Sequence, residues 1–303
     1  MINDVCNVFA PSGNEEQMRG YIKEQLSGNF EEIKVDDFGN LVCRSGSGGL
    51  CIECGMDSCG IMVVSVDKDK AHFAGVGGIN AEYLIDKKVV FKNGSFGIVR
   101  YDGKVAAESK ISDLYLECEP DKLEIGDFGV VQADYCENYE KMFANGLGNR
   151  IGLAAVMTVA KKTDKFKDLT IIFSAQKRLG ARGIQAFFGA NEFDTVITVD
   201  GVECKDGIKS GDGCFLVVVD KAGVCRQTLA ERIKNAAAEN QIKITPAVSD
   251  QDLCMAHITT LGSGAACGAI AVPVIRKNRS LEGVSKSDFD ETTKLLGILM
   301  KEF

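Results

Sequence analysis

Hydrophobic residues recur along the chain with two spacings, one helical and one typical of strands. Ser12 and Glu15 have the spacing of a capping box, and apolar residues then recur at helical intervals, which predicts a first helix. Those apolar residues are Met18, Tyr21, Ile22 and Leu26. Short β-type runs follow in EEIKVD, NLVCR, GGLCIECG and IMVVSVD, separated by turns rich in Gly, Ser and Asp. Residues 1–66 are therefore predicted to combine a helix with several strands.

The pattern changes between residues 67 and 143. Asn93-Gly94 and Asp102-Gly103 lie between β-rich flanks and predict tight hairpin turns, which is typical of a small β domain. From residue 144 to 303, helical and apolar strand segments alternate, as in a layered sheet covered by helices. We therefore predict one discontinuous α/β domain, residues 1–66 and 144–303, with an inserted β domain at 67–143.

Composition and charge exclude several classes of protein. The 303 residues are 45% hydrophobic and 26% charged, with a mean hydropathy of +0.01, which indicates a soluble globular chain. The net charge of -8 argues against a nucleic-acid or anionic-membrane binder, since both require clustered Lys and Arg. The N-terminal residues lack the pattern of a signal peptide, and no apolar run is long enough to span a bilayer. A cytoplasmic protein is expected.

The twelve cysteines include a C-x-x-C pair, Cys51 and Cys54, in a predicted strand. Side chains three residues apart on a strand point to opposite faces, so this pair is not expected to chelate a metal. The other cysteines are scattered through apolar runs. We interpret them as reduced thiols that pack in the core as small hydrophobic side chains.

Five segments, taken in order, resemble the M42 family of metallo-aminopeptidases, which includes glutamyl aminopeptidases and proteins called cellulase M. The resemblance runs almost end to end. The segments are CGMDSCGIMV (54–63), AGVGGIN (74–80), GLGNRIG (146–152), FSAQKRLGARG (173–183) with VITVDG (196–201), and VPVIRKNRSLEGVSKSD (272–288).

The resemblance implies a hydrolase-like α/β peptidase domain whose mixed sheet is flanked by helices, with an inserted β-barrel-like domain. It implies a centre of two divalent ions, zinc or cobalt, that polarises the peptide carbonyl and activates a water molecule. It also implies assembly through the insert into dimers and often hollow dodecamers.

This sequence departs from the family at most of the implied metal ligands. The family's His-x-Asp motif has Gly55 in place of the ligand His, while Asp57, which would orient that His, is retained. The family's Asp-Asn-Arg motif has Gly148 in place of the bridging Asp, followed by Asn149 and Arg150.

The remaining positions follow the same trend. The family's Gln-Glu-Glu motif reads Gln176-Lys177-Arg178, so Lys177 takes the place of the general base and Arg178 that of a ligand. The final ligand His falls on Asn278, and Asp200 is the only ligand position retained. One carboxylate cannot hold two divalent ions, so we expect no metal and no other cofactor.

The replacements would keep the charge of the pocket balanced. Losing two divalent ions from a pocket that keeps Asp57, Asp200 and Asp252 would leave buried carboxylates without counter-charge. Lys177 and Arg178 place cations close to where the ions would lie. We therefore predict a metal-free pocket closed by pairing between these cations and the aspartates.

Two functional interpretations follow. The first is a family member that has lost peptidase activity and acts by assembly, as a homo-oligomer or with an active relative, or by binding a peptide or small anion. The second is an active hydrolase, either a metallopeptidase with an atypical ligand set or an enzyme with different, metal-free chemistry.

Overall fold

The computed structural model describes residues 1–47, 49–162 and 166–302. Its helices are α1 (Ile2–Asn7), α2 (Glu16–Gln25), α3 (Ile151–Lys162), α4 (Arg182–Ala190), α5 (Gln227–Glu239), α6 (Met255–Thr259) and α7 (Lys286–Glu302). Among these residues, no helix is both long and apolar enough to cross a membrane.

A mixed eight-stranded sheet forms the centre of the described fold, in the order β1-β2-β12-β3-β13-β16-β14-β15. Strands β12, β3, β13 and β16 are mutually parallel neighbours. The bounds are β1 (Glu32–Val35), β2 (Leu41–Ser45), β3 (Leu50–Gly55), β12 (Leu169–Ser174), β13 (Thr195–Glu203), β14 (Cys214–Val219), β15 (Ile244–Val248) and β16 (Ala266–Val274).

A closed antiparallel barrel interrupts this sheet along the chain, in the order β4-β5-β8-β7-β6-β9. The strands are β4 (Gly60–Val66), β5 (Lys70–Val76), β6 (Lys88–Phe91), β7 (Phe96–Tyr101), β8 (Leu114–Cys118) and β9 (Phe128–Val131). A small third sheet joins β10 (Cys136–Glu137), β11 (Lys141–Ala144) and β17 (Glu282–Ser285). The predicted fold class, a layered α/β sheet with an inserted β barrel, is confirmed.

The strand pairing differs from the predicted domain boundaries in detail. Strand β4, which ends at Val66, is part of the barrel, although we predicted the insert to begin at residue 67. Strands β10 and β11 pair with β17 rather than with the barrel, so the barrel strands lie within residues 60–131. Hydrophobic periodicity identifies strands but not the sheet that each one joins.

Two local predictions were wrong. Ser12 does not cap α2, because its hydroxyl donates to Asp57 at 2.5 Å, 45 residues away. Asp102-Gly103 does not make a tight hairpin, since twelve residues separate β7 from β8 and include two short 3₁₀ turns. The Asn93-Gly94 turn does connect paired strands, β6 and β7.

The two cysteines of the C-x-x-C pair are fully buried on different faces of the central sheet. Cys54 packs in the core cluster that includes helices α3 and α7, whereas Cys51 packs in the cluster that includes α4 and α6. The predicted strand geometry therefore separates the two thiols, and both act as core residues.

Candidate functional site at the carboxyl ends of the central strands

Several of the predicted site residues lie in or just after four neighbouring parallel strands, near their carboxyl ends. Gly55 ends β3 and is paired with Ser174 at the end of β12, just before Lys177. Asp200 lies in β13, and Asn278 follows β16. In open α/β sheets the carboxyl ends of parallel strands form the usual binding crevice.

Lys177 lies at the centre of this crevice and is buried. Its ammonium Nζ is 3.0 Å from Glu53 Oε2 and 3.2 Å from Asp200 Oδ2. Ser174 Oγ donates to the other oxygen of Glu53 at 2.6 Å. Gln176, in the left-handed region at φ 51°, turns the chain after β12 so that Lys177 points back into the site. Two carboxylates are thus bridged by one ammonium group.

The charges in this cluster shift one another's pKa values. Burial disfavours the charged form of Lys177, but Glu53 and Asp200 outweigh burial and raise its pKa. Burial alone would raise the pKa of Asp200, yet Lys177 and Lys277 hold it at about 2. Burial raises the pKa of Glu53, against the opposing effect of Lys177. The ammonium of Lys177 is therefore strongly favoured in the folded protein.

Lys177 occupies the space beside Gly55 where a longer side chain would project. A Cβ atom built on Gly55 would lie 2.7 Å from Lys177 Cδ and 3.3 Å from Asp57 Oδ1. Real Cβ atoms essentially never approach carbon so closely. A side chain at residue 55 and the observed position of Lys177 are therefore mutually exclusive.

A second lysine lies close to Gly148, where an added Cβ atom would be crowded but not excluded. A Cβ atom on Gly148 would lie 3.0 Å from Lys277 Cγ and 3.3 Å from Lys277 Cε. Lys277 Nζ donates to the carbonyl of Gly201 and, at 2.9 Å, to Gln251 Oε1. Burial lowers the pKa of Lys277 to about 8, although the charge of Asp200 opposes this.

Asp57 is retained but has new partners. Its Oδ2 accepts hydrogen bonds from the Ser12 hydroxyl and, at 2.8 Å, from the backbone N–H of Arg178. Its Oδ1 is buried and has no hydrogen-bond partner among the described residues. Arg178 therefore pairs with Asp57 through its backbone, and not through its guanidinium as we had predicted.

The remaining predicted residues lie at the edge of the cluster or outside it. Asp252 is 43% exposed and lies 3.3 Å from His257, so its predicted pairing with Lys177 or Arg178 was wrong. Asn278 is exposed, and its backbone N–H donates to Glu282. Asn149 is buried and donates weakly to Cys59 Sγ at 3.6 Å.

Sequence reasoning missed Glu53, Lys277 and Glu282. Glu53 lies in the apolar run LCIECG, and a charged residue inside a buried strand is a signal that a partner must exist. Glu282 is 1% exposed and accepts backbone N–H groups from Gly148 and Asn278. No local pattern marked Lys277.

The residues present do not fit the two-ion centre that the family resemblance implies. Asp200 and Glu53 share the ammonium of Lys177, so neither carboxylate is free to bind an ion. In the described part of the chain, no three His, Cys, Asp or Glu side chains are grouped so that they could hold a metal ion. The cavity that Asp57, Asn149, Lys177, Arg178 and Asp200 line is only about 10 Å³, roughly the space of one water molecule.

The fold and the match to a family model identify the class of protein. The model of the M42 glutamyl aminopeptidase family matches residues 39–295, and the chain therefore belongs to the M42 peptidase family.

Individual relatives agree with this assignment. A protein of Acetivibrio thermocellus, named provisionally as an aminopeptidase, is 28% identical, over 98% of this chain and 96% of its own. A lysyl aminopeptidase of Pyrococcus furiosus is 24% identical over 94% and 91% of the two chains.

Solved structures share the fold. An aminopeptidase from Desulfurococcus kamchatkensis superposes with a TM-score of 0.91 at 18% identity, covering 100% of this chain and 94% of the other. The TET1 peptidase of Pyrococcus horikoshii gives 0.87 at 22% identity, covering 100% and 98%.

Proposed function

We propose that this chain is an M42 family member that has lost the two-ion centre and peptide hydrolysis, and that acts through assembly or by binding a peptide or small anion. One observation carries the proposal: the ammonium of Lys177 lies between Glu53 and Asp200, at 3.0 and 3.2 Å. A cation in this position serves as counter-charge to Asp200, the retained ligand position, and to Glu53.

The chemistry of the residues supports the loss of hydrolysis. A general base must accept a proton near neutral pH, and a carboxylate does so readily. Lys177, at the position of the base, carries a raised pKa and stays protonated. Asp200 is ionised but is paired with that same ammonium. Lys177 and Asp200, at the family's base position and retained ligand position, are therefore neither a free base nor a free ligand.

Assembly does not use the metal ligands, so it is the property that their loss would affect least. The P. horikoshii relative is described as forming a tetrahedron or a large octahedral shell. On the barrel of the present chain, Val64, Phe96 and Ile125 are 47, 52 and 74% exposed. Exposed apolar side chains favour self-association where they form a contiguous patch, which we propose for this face of the barrel. We extend the relative's behaviour to this chain, as a homo-oligomer or in mixed assembly with an active relative.

A hydrolysis assay tests the loss of activity. Aminoacyl p-nitroanilides are incubated with the purified protein and added zinc or cobalt, with Asp200→Ala as the matched control. We expect no turnover by the wild type above that of the control. Turnover that Asp200→Ala abolishes would contradict the proposal.

A reverse experiment tests the reason for the loss. Restored ligands need the space that both lysines now fill, so Lys277 must be shortened along with Lys177. We expect metal binding in the combined variant, and much weaker binding in a control that keeps Lys277. The combined substitutions are Gly55→His, Gly148→Asp, Lys177→Glu, Arg178→Glu, Lys277→Ala and Asn278→His.

Light scattering coupled to gel filtration tests assembly. We expect a mass that is a multiple of the 32.6 kDa chain and that decreases in Phe96→Glu or Ile125→Glu. Tyr139→Glu is a matched control, because Tyr139 is 96% exposed but lies outside the barrel strands. A monomeric wild type at high concentration would contradict self-assembly.

A further inference from the structure

A cavity of about 130 Å³ lies between the barrel and the α/β sheet, beside the lysine cluster. A protein cavity of roughly 150 Å³ is large enough to hold benzene, so this one suits a ligand with a small apolar group. The barrel contributes an apolar wall that includes Leu84, Val90 and Val131. The opposite wall is polar and includes Ser58 and Arg150.

Arginines without carboxylate partners surround this polar wall. Arg150 is 4% exposed, and its guanidinium donates only to neutral oxygens, those of Met56, Val8 and Ser58, at 2.5 to 3.2 Å. In the described ranges no carboxylate lies within 4.0 Å of it. A buried guanidinium with only neutral acceptors has no ion pair, and the carboxylate of Asp57 acts on the charge of Arg150 only from beyond 4.0 Å.

Two further arginines add to this charge. Arg279 lines the cavity at its exposed rim, where its guanidinium lies 5.9 Å from the ring centre of Tyr83. Arg178 lines the adjoining 10 Å³ cavity, and Asn149 belongs to both linings. Within the described residues, neither guanidinium has a carboxylate within 4.0 Å. Lys177, by contrast, is fully engaged by two carboxylates.

The single carboxylate that lines the larger cavity does not neutralise these arginines directly. Glu282 uses one oxygen to accept the N–H of Gly148 and the other to accept the N–H of Asn278. The cavity therefore combines an apolar wall with a polar wall that carries excess positive charge. An anion with an apolar group complements both walls, whereas an amine complements neither the charge nor the donor groups.

We infer that this cavity binds a small amphipathic carboxylate, with its carboxylate facing the arginines and its apolar group against the barrel wall. The inference rests on the proposed non-peptidase function and makes its ligand specific. It predicts recognition of an acid, and not of the free amine that an aminopeptidase substrate presents.

Three probes that share one branched apolar group and differ in their polar group test whether the charge of the ligand decides binding. The probes are 4-methylpentanoate, its neutral amide 4-methylpentanamide, and 4-methylpentylamine. Acetate keeps the carboxylate without the branched apolar group, and inorganic phosphate tests an anion of different shape. Saturation-transfer NMR titration of the full chain at low salt measures each dissociation constant and works for large assemblies. We expect 4-methylpentanoate to bind at least about tenfold more tightly than the amide, because only the carboxylate makes charge-assisted hydrogen bonds to guanidinium groups.

Arginine variants locate the site. Arg279→Gln and Arg178→Gln should each weaken binding of 4-methylpentanoate by at least about threefold. Arg100→Gln is the matched control, because Arg100 lies on the barrel and pairs with Asp86 and Glu117, and it should leave binding unchanged. An equal loss of affinity for 4-methylpentanoate in all three variants would contradict the placement of the ligand beside Arg178 and Arg279.

The probes also distinguish failure of this inference from failure of the proposed function. Equal binding of the acid and the amide, no binding of the acid, or binding of phosphate alone would overturn the inference and leave the proposed function intact. Binding of 4-methylpentylamine only after zinc or cobalt is added would indicate a working metal site, and would overturn both.

Discussion

Lys177 Cδ lies 2.7 Å from the position that a Cβ atom on Gly55 would occupy. A side chain at residue 55 and Lys177 in its observed position therefore exclude each other, so under the proposed loss of the metal centre the glycine is what leaves room for the cation. Gly148 and Lys277 are crowded less severely on the neighbouring side of the site, where a Cβ atom on Gly148 would lie 3.0 Å from Lys277 Cγ.

Lys177→Met should strongly destabilise the protein. Removing one partner of a buried ionic cluster leaves Glu53 and Asp200 without counter-charge, which costs about 3–5 kcal/mol. The matched control is Lys243→Met, which breaks the exposed pair with Asp212 and should cost about 1 kcal/mol or less. Urea unfolding measures both, and equal losses would show that Lys177 is not the centre of the cluster.

Gly55→Ala should destabilise the wild type by about 1–3 kcal/mol, because the new methyl group would overlap Lys177. In a Lys177→Ala background the same substitution should cost little. Gly20→Ala is the control, since Gly20 lies in helix α2 with open space around it and should stabilise slightly. If the loss of unfolding free energy caused by Gly55→Ala is the same in the Lys177→Ala background, then a side chain at residue 55 and Lys177 do not exclude each other.

The contribution of Asp200 to the free energy of unfolding should decrease as the pH becomes acidic. Its pKa is depressed to about 2 from an ordinary value of 3.8, so its ionised form is favoured by folding. The resulting stabilisation, about 2 kcal/mol, is present above the ordinary pKa and is lost as the pH falls through about 2. The difference in free energy of unfolding between wild type and Asp200→Asn should therefore shrink between pH 5 and pH 2.

A background lacking the ammonium group provides the control for that experiment. In Lys177→Met, the Asp200→Asn substitution should show a much smaller dependence on pH, because the main opposing charge is gone. A pH dependence that is unchanged in this background would mean that Lys177 does not hold the carboxylate in its ionised form.

Thiol labelling should separate the exposed cysteine from those in the core. Cys136 is exposed, whereas Cys51 and Cys54 are fully buried, and burial raises their pKa values well above the ordinary value. A native-state reaction with a thiol reagent should show a fast phase that Cys136→Ser removes. Rapid labelling of Cys51 or Cys54 in the folded protein would contradict their packing in the core.

Much of the fold could be predicted from the sequence because buried parallel strands read as apolar runs between helical segments. The LTIIFSA run, for example, includes β12, and the helical pattern near Leu153 corresponds to α3. Strand partners were harder to predict, so β4 was assigned to the wrong side of the boundary. Pairing depends on contacts distant in sequence, which periodicity does not report.

The site was predicted in part. Motif positions located Gly55, Gly148, Lys177 and Asp200, and the structure brings Lys177 and Asp200 together. The third member, Glu53, was missed because it comes from a neighbouring strand and its carboxylate has no motif of its own. Arg178 was expected to share the role of Lys177, but the backbone turn beginning at Gln176 directs only one of these side chains between the carboxylates.

The central claim is that lysine side chains have replaced a two-ion centre. Its most direct test is metal analysis of protein purified without chelator, soaked in excess zinc or cobalt, and then freed of unbound ions. Gly55, Gly148, Arg178 and Asn278 stand at four of the five implied ligand positions, which predicts less than one ion per chain and no change in the melting temperature with metal or with chelator. Two tightly held ions per chain would contradict it.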